Sequence, residues 1–179
     1  MITYVALLRG INVSGQKKIL MVDLRDLHEK LGFNNVRSYI QSGNIIFNYN
    51  GDISSSELSH LIEEAIARRF YFSVPVIIRT AHEIEQLIKT NPFKKEAKTD
   101  PNLVLFTLLK NAPQPNELSR FDDIDYSPDR FELHGNAIFL HCPNGYGKSK
   151  LTNNYFEKML KTNATTRNWK TLTRILELT

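Results

Sequence analysis

The chain has 179 residues, a formal net charge of +4, 41% apolar residues and a single cysteine, Cys142. That length suffices for one domain or two small ones with a buried core, and the mildly basic balance permits acidic partners without requiring them. One cysteine excludes an internal disulfide and a cysteine-based zinc centre, and the five histidines (28, 60, 82, 134 and 141) lack metal-ligand spacing, so no metal site is expected.

Taken in chain order, "MITYVALLRG" meets Arg9 and Gly10 too early for a signal peptide or a membrane span, which predicts a soluble cytoplasmic protein. Its "TYVALLR" is an apolar run of buried-strand length. "ILMVDLRDLHEKLG" puts Leu20, Leu24, Leu27 and Leu31 on one helical face, with Gly32 suited to ending it. "VRSYIQ" and "NIIFNY" read as strands joined by a tight turn at Ser42-Gly43. Ser54-x-x-Glu57 and Thr80-x-x-Glu83 are capping boxes that open two further helices on either side of the strand "VPVIIRT". Asn91-Pro92 ends the second of these.

The order βαββαβα predicts a ferredoxin-like subdomain over residues 1–92. The charged, proline-bounded "PFKKEAKTDPN" predicts a connector over 93–102. From 103 to 179 the pattern begins again: strand "LVLFTLLK", a short helix near "PNELSRF", strands "RFELH" and "AIFLHC", and two helices. This βαββαα order predicts a second ferredoxin-like subdomain that lacks its fourth strand, giving an α+β fold overall.

"HCPNGYGKSK" ends in Gly-Lys-Ser, as phosphate-binding loops do. Such a loop needs Gly-x4-Gly-Lys-Ser/Thr so that successive backbone N–H groups wrap the phosphates. Counting back from Gly147 puts Cys142 where the first glycine belongs, so the triphosphatase reading fails. A weaker expectation survives: Gly145 and Gly147 free the backbone, Lys148 and Lys150 bring charge, and Ser149 opens a helix whose N-terminus attracts anions. The alternative is a glycine-rich turn with a serine cap.

In a ferredoxin-like sheet the first strand lies antiparallel to the third. "LRGIN" and "SGN" then meet at one sheet edge, bringing together Arg9, Asn12, Gln41, Ser42 and Asn44. Arg9 offers a planar donor fork to carboxylate or phosphate, and the amides set orientation. Neither segment contains His, Asp or Glu, so this is a recognition set rather than a catalytic one. The alternative is that Asn12, Ser42 and Asn44 satisfy turn backbones and Arg9 pairs with a carboxylate. In the tail "ATTRNWKTLTRIL", Thr165, Thr166 or Asn168 caps the last helix and Trp169 anchors it. Arg167 at a helix start opposes the helix dipole unless an anion compensates. From Lys148 to Arg174 seven basic residues stand against Glu157 alone, either a solvated face or a polyanion surface.

The stretches "YVALLRGINVSG", "DLRDLHEKLGFNNVRSYIQSGNIIF", "NPF", "GYGKSKL" and "ATTRNWKTL" together resemble a bacterial family catalogued as domain of unknown function 1697. Ser14 stands where that family often has a second glycine, and Lys170 where it often has asparagine. The resemblance implies a compact α+β protein with two ferredoxin-like parts and brings no activity with it. Its shared stretches mark Arg9, Asn12, Gln41, Ser42, Asn44, Lys148, Ser149, Arg167, Asn168 and Trp169.

The leading expectation is a module that binds a small phosphate- or carboxylate-bearing ligand at the Arg9–Asn44 edge, completed by Lys148 or Arg167. A second is single-stranded nucleic-acid binding, with Tyr4, Tyr39, Phe47 and Tyr49 as stacking aromatics, although "NIIFNY" lacks the RNA-recognition pattern. A third is an enzyme drawing on Asp23, Asp26 or Glu29, and a fourth a scaffold. No residue pattern names a cofactor or an oligomeric state.

Overall fold

A computed structural model of the chain describes residues 1–13, 15–122 and 124–179. Ser14 therefore lies outside the described residues. The chain divides into two units, Met1–Glu85 with Ile175–Thr179, and Gln86–Arg174.

The first unit runs β1 (Ile2–Leu8), α1 (Met21–Lys30), β2 (Asn34–Tyr39), β3 (Asn44–Tyr49), α2 (Ser55–Phe70), β4 (Val76–Thr80) and the start of α3 (Ala81–Thr90). Its sheet has the order β2-β3-β1-β4 with every pairing antiparallel, which is the ferredoxin-like arrangement. Tyr4, Ala6, Leu8, Ile45 and Phe47 turn toward Leu24 and Leu27 of α1 and Leu58, Ile62 and Ile66 of α2, and form the core. Val5, Leu7 and Ile46, at the alternate positions, are buried too, so the strands read as continuous apolar runs rather than alternating ones.

The helix ends follow the local chemistry. Gly32, at φ +84°, closes α1 as a Schellman motif, its N–H donating to Glu29 and that of Phe33 to His28. Leu20, expected on the apolar face, is instead the residue before α1 and is exposed. Ser54 and Glu57 exchange side-chain and backbone bonds at 3.2 and 2.9 Å, and Thr80 and Glu83 do so at 3.1 and 2.7 Å.

The second unit runs from the rest of α3 through α4 (Lys94–Thr99), β5 (Val104–Leu109), α5 (Pro115–Leu118), β6 (Arg130–His134), β7 (Ala137–His141), α6 (Asn153–Leu160), β8 (Ala164–Asn168) and most of α7 (Trp169–Glu177). Its sheet order, β6-β7-β5-β8, repeats that of the first unit, again all antiparallel. Leu105, Leu109, Ile138 and Leu140 pack against Phe156 and Leu160 of α6.

Two expectations are corrected here. The fourth strand thought to be missing is β8, so the second ferredoxin-like unit is complete. "ATTRN" pairs along β5 from Leu105↔Asn168 to Leu109↔Ala164, and only that distant partner makes it a strand. The stretch expected to be a linker contains α4, anchored by the buried Phe93 and Ala97, and the boundary between the units falls inside α3. Among the described residues no helix is long and apolar enough to cross a membrane.

Candidate functional site

In the first unit the topology brings "LRGIN" and "QSGN" together. Leu7 pairs with Asn44, the Leu8 N–H donates to the Gly43 carbonyl at 2.8 Å, and the Arg9 N–H donates to the Pro75 carbonyl at 2.9 Å. Asn12, at φ +55°, donates from Nδ2 to the carbonyls of Gln41 (2.8 Å) and Ile19 (3.0 Å), while its Oδ1 accepts from the Ile19 N–H at 2.9 Å. Asn44 is fully buried and donates to the Tyr39 carbonyl at 2.9 Å and the Ser42 hydroxyl at 3.1 Å. Asn12 thus ties its own loop to the turn at Gln41, and Asn44 ties that turn to the strands on either side, as asparagines in such positions do. Lys17 adds a clamp from the same loop to the Ser73 carbonyl at 2.6 Å.

Two of the four aromatics considered for base stacking are buried among the described residues. Tyr4 and Phe47 stack on each other at 5.7 Å inside the helix-covered core, because strand alternation sends both to that side. Asp23 and Asp26 meet Arg69 at 3.6 and 2.5 Å. Hydrogen bonds from Arg69 and Lys30 hold the Asp26 carboxyl below its ordinary range, which suits an ion-pair partner better than a general acid.

In the second unit Ser149 does not open a helix. Tyr146–Lys148 form one 3-10 turn, Ser149 is extended, and α6 starts at Asn153 with Thr152 as its cap, Oγ1 accepting from the Tyr155 N–H at 3.2 Å. The helix-terminus argument for an anion at Ser149 therefore fails. What positions this loop is Tyr146: its hydroxyl accepts from the Asn153 N–H at 3.1 Å and lies 3.3 Å from Thr166. Thr166 in turn bonds Asn153 and Thr107, at 2.7 and 2.6 Å, so the loop is fastened to β8 and β5. The Ser149 hydroxyl accepts from the Leu151 N–H at 2.9 Å, a turn-forming role. Burial pushes the neighbouring Cys142 thiol up to about 11, which leaves it a poor nucleophile.

Held this way, Lys148, Lys150 and Asn144 face the loop Asp125–Asp129 across a cavity of about 300 Å³. Neither lysine ammonium makes a hydrogen bond or ion pair among the described residues. Asp125 is held below its ordinary range, first by the Ser127 N–H and hydroxyl, with Lys150 adding to the effect. Beside this cavity Arg130 pairs with Glu96, lies 3.2 Å from Nδ1 of His141 and sits over the Phe93 ring at 5.1 Å. Burial and then the Arg130 charge lower the His141 pKa.

Arg167 lies on β8, not at a helix start. It is buried, donating to the Thr165 hydroxyl at 2.7 Å and the Thr166 carbonyl at 2.9 Å. Asn168 caps α7, its Oδ1 accepting from the Thr171 N–H at 2.9 Å, and Trp169 leans on Phe106 at 5.7 Å. The first unit holds an equivalent arginine that the sequence reading overlooked. Arg79 faces Val5 across β4–β1 as Arg167 faces Phe106 across β8–β5, and each arginine immediately precedes a helix-capping residue, Thr80 or Asn168. Its signal was the pair "RT" and "RN" before the two helices. The ten marked residues fall into two sets, Arg9 to Asn44 in the first unit and Lys148 to Trp169 in the second.

Among the described residues no three His, Cys, Asp or Glu side chains are grouped to hold a metal ion. Fold and site together describe an α+β protein of two ferredoxin-like units with polar loops at the sheet ends. A family model described as "Protein of unknown function (DUF1697)" matches residues 1–139, and the chain belongs to that family. The match stops before "GYGKSKL" and "ATTRNWKTL". The solved structure of the conserved bacterial protein SP0830 from Streptococcus pneumoniae is similar over 99% of this chain and 98% of its own, with a TM-score of 0.77 at 24% sequence identity. That likeness is one of fold. No curated protein matches the chain.

Proposed function

We propose that the protein is a binding module for a small phosphate- or carboxylate-bearing molecule, held by Lys148 and Lys150 in the cavity of the second unit. The observation that carries this is a pair of exposed lysines, neither hydrogen-bonded nor ion-paired among the described residues, on the wall of a cavity of about 300 Å³ that Asp125 and Asp129 also line. That size is at the lower end for small-molecule sites, and a loop pinned by Tyr146 lowers the ordering cost of binding. The Arg9–Asn44 edge receives less support, because the amides of Asn12 and Asn44 are spent on backbone carbonyls of the surrounding loops and hairpin.

Thermal unfolding with a panel of sugar phosphates, nucleotides and carboxylates tests this. A ligand at about a hundred times its Kd adds roughly 2.7 kcal/mol, several degrees for a chain of this size. The shift should vanish in Lys148→Ala/Lys150→Ala, which alters exposed side chains only, and persist in Arg9→Ala. A shift lost in Arg9→Ala instead would return the site to the first unit, and no shift with any anion would sink the proposal.

A further inference from the structure

A second cavity, of about 280 Å³, lies in the second unit and shares no residue with the first. Trp169, Ile88 and Ala97 line it with carbon, and Lys94 and Lys98 complete the lining. The two lysines are one turn apart on α4, both exposed, and neither ammonium has a hydrogen bond or ion pair among the described residues. Like charges four residues apart on a helix repel each other, and among the described residues no acidic side chain lines the cavity to relieve them. Trp169 is only half-buried, and its indole N–H has no partner among the described residues.

We propose that this slot binds a small aromatic carboxylate. The walls favour a flat apolar body: Trp169, already tilted against Phe106, offers a ring to pack on, and Ile88 and Ala97 add apolar walls. A bare phosphate or acetate would leave those walls wet, and a neutral hydrocarbon would leave two ammonium groups uncompensated. One ring bearing one carboxylate satisfies both features, with its body on Trp169 and its charge between Lys94 and Lys98. The lysine stems add apolar contact while their ends reach the carboxylate.

Trp169 is the only tryptophan, so its emission reports on this cavity directly. Benzoate and 3-phenylpropionate should change that emission saturably, their neutral amides more weakly, and acetate not at all. Lys94→Gln/Lys98→Gln should weaken benzoate about tenfold and leave benzamide unchanged, the loss of a charge-assisted hydrogen bond. Ala97→Leu, which fills the slot, should abolish both responses; if that variant fails to fold, the lysine pair decides alone. The proposal is overturned by any of three results: no saturable response to either carboxylate, equal affinity for benzoate and benzamide, or an unchanged benzoate affinity in a folded Lys94→Gln/Lys98→Gln protein.

Discussion

Acidification from about pH 7.5 to about pH 5 should cost the first unit about 2 kcal/mol through one side chain, His28. The imidazole is fully buried between the rings of Phe33 and Phe47, at 6.0 and 5.8 Å. Its Nδ1 donates to the Leu24 carbonyl at 2.7 Å, and its Nε2 has no hydrogen-bond partner among the described residues. Burial, against a small opposing effect of the Leu24 carbonyl, lowers its pKa from 6.5 to about 4. The unfolded chain therefore takes up a proton between those values while the folded chain does not. Stability is complete above about pH 6.5 and is lost as pH falls toward the folded value, by about 3 kcal/mol in all and about 2 by pH 5. His28→Leu keeps a similar volume, fills the place of the unsatisfied nitrogen with carbon and abolishes the titration. Urea unfolding of both proteins at the two pH values isolates the effect, since the other histidines titrate in each. If both lost the same stability on acidification, His28 would not be the neutral buried group described here.

Three further outcomes can be checked by thermal or urea unfolding. Gly43 has φ +76°, and a Cβ there would lie 2.7 Å from Leu8 Cβ and Ile11 Cδ1, so Gly43→Ala should lose about 2 kcal/mol or more. Gly10→Ala, at φ +71° in open space, should lose only about 1 kcal/mol of backbone strain; equal losses would show that the close approach at Gly43 does not matter. Asn12→Gly keeps the left-handed backbone and removes three hydrogen bonds, which should cost about 2 kcal/mol and speed amide exchange at Ile19. Unchanged exchange at Ile19 would mean the loop is held by something other than Asn12.

Short-range chemistry was legible in the chain. Both capping boxes, the Gly32 terminus and the hairpin before Asn44 depend on residues a few positions apart, and local sterics and hydrogen bonding decide them. The convergence of "LRGIN" with "SGN" followed from strand order alone, because an antiparallel first and third strand leave no other arrangement. The role of Asn12 was not legible: its partner Gln41 is 29 residues away, and either a ligand or a turn would account for a polar residue there.

What the sequence by itself determined was therefore the class of fold, the caps and most of the strands, all set by periodicity and by neighbours along the chain. Tertiary structure decided the rest. "ATTRN" lacks apolar alternation and becomes a strand because β5 offers it a free edge, which moves Arg167 from a helix start into a sheet. Ser149 and Thr152 are both cap-forming residues, and the bonds of Tyr146 to Asn153 and Thr166 accompany the later start at Thr152. The lysine cavity has its far wall in Asp125–Asp129, a loop whose own residues carry no motif. Each of these outcomes depends on groups distant in the chain and adjacent only once the sheet has formed.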